Sequence, residues 1–172
     1  MEEVEVKKGG KLLNIIFLLA IILLGLFLYS KYLGIKGLIV KEYKVESKIL
    51  TSNFSGVKIV QLSDILYGST VDDKDINTLV KKVNELKPDI IVFTGDLVSK
   101  RKKVTDKEIE FLSKSLKKMD ASIGKYAIKG DSDYSLKSFE DIMNNSNFTI
   151  LSNSYEEIYY NDAIIAVYRT IK

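Results

Sequence analysis

The sequence predicts an α/β domain carried behind an N-terminal transmembrane helix, and three observations predict it. A long apolar run fills residues 12–29, reading LLNIIFLLAIILLGLFLY. Beyond about residue 54, short apolar runs alternate with segments of helical periodicity. Finally, Asp64, Asp96 and Asp131 each close a short apolar run, at separations of 32 and 35 residues that suit consecutive βαβ units.

The apolar run comes first. As a helix it would cover roughly 27 Å, close to the hydrocarbon thickness of a bilayer. Asn14 is its only strongly polar residue, and Ser30-Lys31-Tyr32-Leu33 offers no small-x-small cleavage site. It therefore reads as an uncleaved anchor over residues 12–32, behind a cytoplasmic or external tail at 1–11, and places the protein in the cell membrane as a single-pass chain. Lys7, Lys8 and Lys11 precede the span and Lys31, Lys36, Lys41 and Lys44 follow it, so the positive-inside rule selects no orientation. Residues 1–48 hold 8 Lys and Arg against 5 Asp and Glu, which leaves 18 of each sign beyond and puts the whole formal +3 beside the membrane. Lysines there can meet anionic head groups at about 1 kcal/mol each. The balanced remainder argues against a nucleic-acid module. With no cysteine the chain has no disulfide framework, and with no histidine it has no imidazole ligand, acid or base.

Residues 33–53 read as a polar, lysine-rich connector in which the alternation of Ile39-Val40-Lys41-Glu42-Tyr43-Lys44-Val45 suggests an edge strand. The domain then occupies 54–172. Helical spacing of Ile76, Leu79, Val80, Val83 and Leu86 predicts a helix over 73–86, ended by Lys87-Pro88. Thr105 with Glu108 three residues on forms a capping box, which opens a helix carrying Ile109, Leu112, Leu116 and Met119 on one stripe. A shorter helix is expected over 136–143, followed by strands at 149–151, 157–160 and 163–168.

Parallel strands present their carboxyl ends along one edge, where ligands of open α/β sheets bind, so the three aspartates are expected to converge there. Two carboxylates about 5 Å apart repel by roughly 3 kcal/mol at an effective dielectric near 20, a cost that a divalent cation removes. Oxygen-only ligation favours Mg²⁺, Mn²⁺ or Ca²⁺. Gly95 and Gly130, each just before an aspartate, suit a sharp turn toward such a centre. A single Gly-Asp pair is ordinary turn chemistry, whereas three aspartates on consecutive parallel strands point to a cation. Tyr67 and Tyr134 flank the candidate ligands and read equally well as pocket lining or as packing. The basic run Lys100-Arg101-Lys102-Lys103 reads as a solvated loop, with attraction of a phosphorylated substrate or anionic lipid as the alternative.

These residues resemble a family, the calcineurin-like metallophosphoesterases, and among them the membrane-anchored bacterial members. Leu62-Ser63-Asp64-Ile65-Leu66 is similar to its Asp-x-His block, Thr94-Gly95-Asp96-Leu97 to its Gly-Asp block, and Gly130-Asp131-Ser132-Asp133-Tyr134 to Gly-Asn-His-Asp or -Glu. Leu86-Lys87-Pro88-Asp89-Ile90-Ile91 is similar to the phrase that precedes the Gly-Asp strand. The resemblance implies about half of an αββα sandwich. It also implies two divalent metal ions (Mn, Mg, Fe or Zn in the family, hard cations here), with Asp64 on the first, Asp96 bridging and Asp131 on the second. The implied activity is hydrolysis of phosphomonoesters or phosphodiesters, a phosphorylated small molecule or lipid being the partner class. Three departures stand out: Leu66 replaces the first-block histidine, Asp131-Ser132 replaces Asn-His, and the closing Gly-His-x-His block has no counterpart.

The expectation is therefore a membrane-anchored, truncated phosphoesterase domain impaired in turnover, with its uncovered sheet face a candidate for self-association. Rival readings are a non-catalytic, membrane-tethered relative that binds a cation or phosphate, and a truncated gene product. Asp131-Ser132-Asp133-Tyr134-Ser135 also matches the Asp-x-Asp-x-Ser nucleophile pattern of haloacid-dehalogenase-like phosphatases, although that motif should begin the first strand unit.

Overall fold

The computed structural model describes residues 8–32, 38–152 and 154–168, and the chain divides after Tyr43 into two compact units. Part of the tail expected at 1–11, with Lys7, and the start of the connector at 33–37, with Lys36, lie outside the described residues.

The first unit contains helix α1, Lys8–Tyr32. Its large apolar side chains from Leu13 to Tyr29 are all exposed, Leu28 the least so at 44%. Among the described residues, no helix is long and apolar enough to cross a membrane; in α1 the described side chains are those of residues 13–29. The edge strand expected over 39–45 does not form: that segment has no regular structure, and Ile39, Tyr43 and Val45 are about four-fifths exposed. Alternation describes a face, and a strand also needs a neighbour to accept its ladder bonds.

The second unit is built on a four-stranded parallel sheet in the order β1-β2-β3-β4, made of β1 (Ile59–Leu62), β2 (Ile90–Phe93), β3 (Gly124–Ala127) and β4 (Thr149–Ile150). Helices α2 (Asp73–Leu86), α3 (Asp106–Lys117) and α4 (Phe139–Asn145) provide the crossovers. α2 has the bounds its apolar spacing predicts. Its start is fixed by a capping box in which Asp72 accepts from the N–H groups of Lys74 and Asp75, while Asp75 accepts from the Asp72 N–H. The capping box at Thr105 and Glu108 opens α3. α4 starts three residues later than its apolar spacing suggests, because Asp133–Ser135 forms a 3-10 turn ahead of it.

Alternation within the strands sorts two apolar layers. Ile91 and Phe93 of β2 and Ala127 of β3 face the helices and pack with Ile76, Val83, Leu112, Phe139 and Ile142, all 2% exposed or less. Fully burying such a side chain contributes about 1.5–3 kcal/mol. Ile90 and Tyr126 point the other way and meet Leu151 and Ile158. Ile158 comes from an antiparallel hairpin, β5 (Tyr155–Tyr160) and β6 (Ala163–Tyr168), turned by Asn161 and Asp162 at φ 47° and 63°. The sheet face that a half-sandwich would leave bare is thus covered over β2 and β3, while Ile59 of β1 remains 60% exposed.

Candidate functional site

The carboxyl ends of β1, β2 and β3 lead into three short loops that knit together through the backbone. Beyond β1, the N–H groups of Asp64, Leu66 and Tyr67 donate to the carbonyls of Gly95, Asp96 and Leu97 at 3.0, 3.0 and 2.9 Å. This continues the β1–β2 pairing past the strand ends. To make those bonds, Asp64, Leu66 and Asp96 adopt left-handed backbone at φ 53°, 52° and 62°, a conformation that costs of order 1 kcal/mol or more for residues with a side chain. Gly95 is required outright. At φ 107° a Cβ there would lie 2.2 Å from the Gly130 backbone nitrogen. Gly130 is small for closeness rather than for turning, since a Cβ on it would sit 2.8 Å from Asp96 Oδ1.

Of the three aspartates singled out by spacing, Asp64 and Asp96 stand on the two loops joined by these backbone bonds. Asp64 is exposed and accepts from the Ser63 hydroxyl. Asp96 is half-buried, and its Oδ1 accepts from Ser132 twice, from the backbone N–H at 2.8 Å and from the hydroxyl at 2.7 Å. The Ser132 hydroxyl and then its N–H hold the Asp96 carboxyl below the usual carboxylate range against the effect of burial. Asp131 stands on the neighbouring turn, exposed to solvent. Among the described residues no group of three or more Asp, Glu, His or Cys is placed to hold a metal ion.

The acid that spacing did not single out is Asp133. It is 1% exposed and accepts from the N–H groups of Asp96, Leu97 and Gly130 at 2.7, 2.9 and 2.9 Å. Burial pushes its carboxyl above its ordinary value, although those three donors oppose the shift. One carboxylate therefore stitches the β2 loop to the β3 loop. The signal lay in the second acid of Gly-Asp-Ser-Asp, since a tight turn closed by the Asp133 N–H on the Gly130 carbonyl carries that acid back over the strand ends. The same burial counts against the haloacid-dehalogenase reading, because it leaves the second acid of that pattern facing inward, spent on three N–H groups.

Tyr67 is buried and donates to Asp73 at 2.6 Å, and burial, then Asp73, pushes its phenol well above the ordinary value. Tyr134 is 61% exposed. Within the basic run, Lys102 lies over Gly68 and pairs with Glu108 at 2.7 Å, while Lys100, Arg101 and Lys103 are exposed. A shallow cavity of about 510 Å³ opens at the amino end of α2, lined among others by Tyr67, Asp72, Asp73, Lys74 and Glu108. It does not include Asp64 or Asp96, and three carboxylates against one lysine make it a poor seat for a phosphate.

A family model for calcineurin-like phosphoesterase matches residues 57–170. An uncharacterized metallophosphoesterase of Bacillus subtilis, YkuE, is 31% identical over 133 residues, 76% of this chain and 46% of that protein. A zebrafish (Danio rerio) transmembrane protein with a metallophosphoesterase domain is 29% identical over 70% of this chain and 27% of its own length. The UDP-2,3-diacylglucosamine pyrophosphatase LpxG of Chlamydia trachomatis is 32% identical over 60% of this chain and 30% of its own length. The chain thus spans less than half the length of these curated relatives.

Proposed function

The chain belongs to the calcineurin-like phosphoesterase family, and on that premise we propose that it serves metal-dependent hydrolysis of a phosphomonoester or phosphodiester at a membrane. The observation that carries the proposal is the backbone pairing that sets the Asp64 and Asp96 loops side by side at the carboxyl edge of the parallel sheet. Carboxylates on two adjoining loops supply hard oxygen donors, which fit a Mg²⁺ or Mn²⁺ ion better than a zinc ion. A cation held there would polarise a phosphoryl oxygen and stabilise the charge that develops on it. The residues of the chain do the positioning: the Asp133 bonds join the β2 and β3 loops, and the N–H groups of Asp64 and Leu66 join the β1 and β2 loops through the carbonyls of Gly95 and Asp96.

Substrate class follows only coarsely. One relative is a pyrophosphatase of UDP-2,3-diacylglucosamine, which supports a phosphorylated small molecule or lipid. Hydrolysis of bis(p-nitrophenyl) phosphate by the purified chain with Mn²⁺ is the expected result, falling by about 10²-fold in Asp96→Asn. Equal rates in the two proteins would end the proposal.

A second reading, a non-catalytic relative that binds a cation or phosphate, is favoured by one observation. The chain has no histidine to protonate a leaving oxygen, and Leu66 stands where the family's first block carries one. Mn²⁺ binding lost in Asp96→Asn, with no hydrolysis in either protein, would select it.

Membrane attachment is proposed through α1. Its support is the 25-residue helix with every described large apolar side chain exposed, together with the zebrafish relative, a transmembrane protein. The chain should stay in the pellet of a membrane fraction washed with alkaline carbonate. Release into the wash would exclude a single-pass anchor.

A further inference from the structure

The basic run Lys100-Arg101-Lys102-Lys103 divides in the structure into one engaged cation and three open ones. It lies between β2 and α3, on the carboxyl edge of the sheet. The Ser99 N–H donates to the Tyr67 carbonyl at 3.0 Å, and the Lys102 N–H returns to the Ser99 carbonyl at 2.8 Å. The second bond closes residues 99–102 into a tight turn with Lys100 and Arg101 at its corner, and the first ties that turn to the β1 loop. Lys102 folds inward over Gly68 and pairs with Glu108 at 2.7 Å, while Glu108 also accepts from the Thr105 N–H at the start of α3. Lys100, Arg101 and Lys103 stay exposed, with no ion pair among the described residues.

This imbalance is local. Beyond residue 48 the chain holds 18 basic and 18 acidic residues, so acids exist in number to neutralise the turn, yet the one that reaches it, Glu108, is taken by Lys102. Three like charges held on one turn repel each other and present a positive field that extends about 8 Å at physiological salt. An anionic surface relieves that repulsion. Each basic residue at an anionic leaflet strengthens attachment about fivefold, so three acting together favour contact about 100-fold. For a free domain that is weak binding, whereas a domain tethered to the bilayer meets the leaflet at high effective concentration. The turn is also close to the candidate site. Lys100 stands four residues past Asp96, which keeps their Cα atoms within about 14 Å of each other.

We propose that Lys100, Arg101 and Lys103 form a docking turn for anionic lipid head groups, which holds the carboxyl edge of the sheet against the membrane surface. The proposal rests on attachment through α1 for the nearness of the leaflet, and its test reads the two separately. The full chain is assembled into nanodiscs of phosphatidylcholine, alone or with about 30% phosphatidylglycerol, and co-elution with the discs is scored first. Trace acetylation and mass spectrometry then give the reactivity of Lys100 and Lys103 relative to Lys117 and Lys118, which are exposed at the far end of α3. In anionic discs Lys100 and Lys103 should react about tenfold more slowly than in neutral ones, with Lys117 and Lys118 unchanged. Salt of about 1 M, which shortens the screening length to about 3 Å, should abolish that protection, and Arg101→Glu should remove most of it. Equal reactivity in the two discs would overturn the proposal, as would protection indifferent to salt or to Arg101→Glu. Equal protection by millimolar inorganic phosphate in neutral discs would overturn it too, by assigning the turn to a free phosphate group. Co-elution with both discs and equal reactivity would keep the anchor and remove the docking turn. Co-elution with anionic discs alone, with the protection present, would keep the turn and remove the anchor, and co-elution with neither would remove both.

Discussion

The two edges of the parallel sheet both carry aspartates, and they spend them differently. At the amino edge, Asp89 uses both oxygens on protein, accepting from the Lys58 N–H at 2.9 Å and from the Ser122 hydroxyl at 2.7 Å. Its own carbonyl receives the N–H groups of Ile123 and Gly124, so one residue ties the entrances of β1, β2 and β3. The Lys58 N–H and then the Ser122 hydroxyl hold the Asp89 carboxyl below its ordinary range. At the carboxyl edge the spending is graded. Asp133 is used up on three N–H groups, Asp96 has one oxygen engaged, and Asp64 faces solvent. An acid whose acceptors are all filled holds the fold, while acids with oxygen to spare can meet a ligand. The carboxyl edge has both kinds side by side, and the filled one fixes the loops that carry the open ones.

The sharpest way to break this comparison is to blunt the filled acids on each edge by the same change. Asp133→Asn keeps the shape but leaves a buried amide N–H facing donors, and should cost about 3 kcal/mol of unfolding free energy. The same substitution at Asp89, which is only half-buried, lets water replace the lost bond and should cost about 1 kcal/mol. Urea unfolding of the two variants measures the difference. Equal losses would mean that burial does not distinguish the edges.

Much of this architecture was legible in the sequence, for reasons that differ by element. The helix at 73–86 was bounded correctly because Ile76, Leu79, Val80 and Val83 all serve one face, and a face that meets a sheet must recur at helical spacing. The parallel neighbours followed from aspartate separations that only a crossover helix can fill. The false strand at 39–45 followed from alternation without a partner. The difference between Asp131 and Asp133 was hidden for another reason: which acid turns inward is set by a single 3-10 turn, and no periodicity reports on three residues. The αL backbone at Asp64, Leu66 and Asp96 was equally silent, being imposed by the pairing of the β1 and β2 extensions rather than by the residues that adopt it.

Glu108 offers the finest test, because it is a filled carboxylate on neither edge. Its Oε2 accepts from the Thr105 N–H and hydroxyl at 2.8 and 2.9 Å, and its Oε1 pairs with Lys102 at 2.7 Å. Lys102 first, and Thr105 after it, lower its carboxyl from 4.5 to about 2. A carboxyl held below its unfolded value contributes stability that is complete above about pH 4.5 and is lost as pH falls through the folded value near 2. With the side chain 23% exposed, solvent screening leaves about 1 kcal/mol of that contribution. Unfolding of wild type and Glu108→Gln should therefore differ by about 1 kcal/mol at pH 7 and converge toward pH 2. A gap that persists unchanged into acid would show that Glu108 acts through packing rather than through its filled acceptors, and would detach it from the rule that Asp89 and Asp133 share.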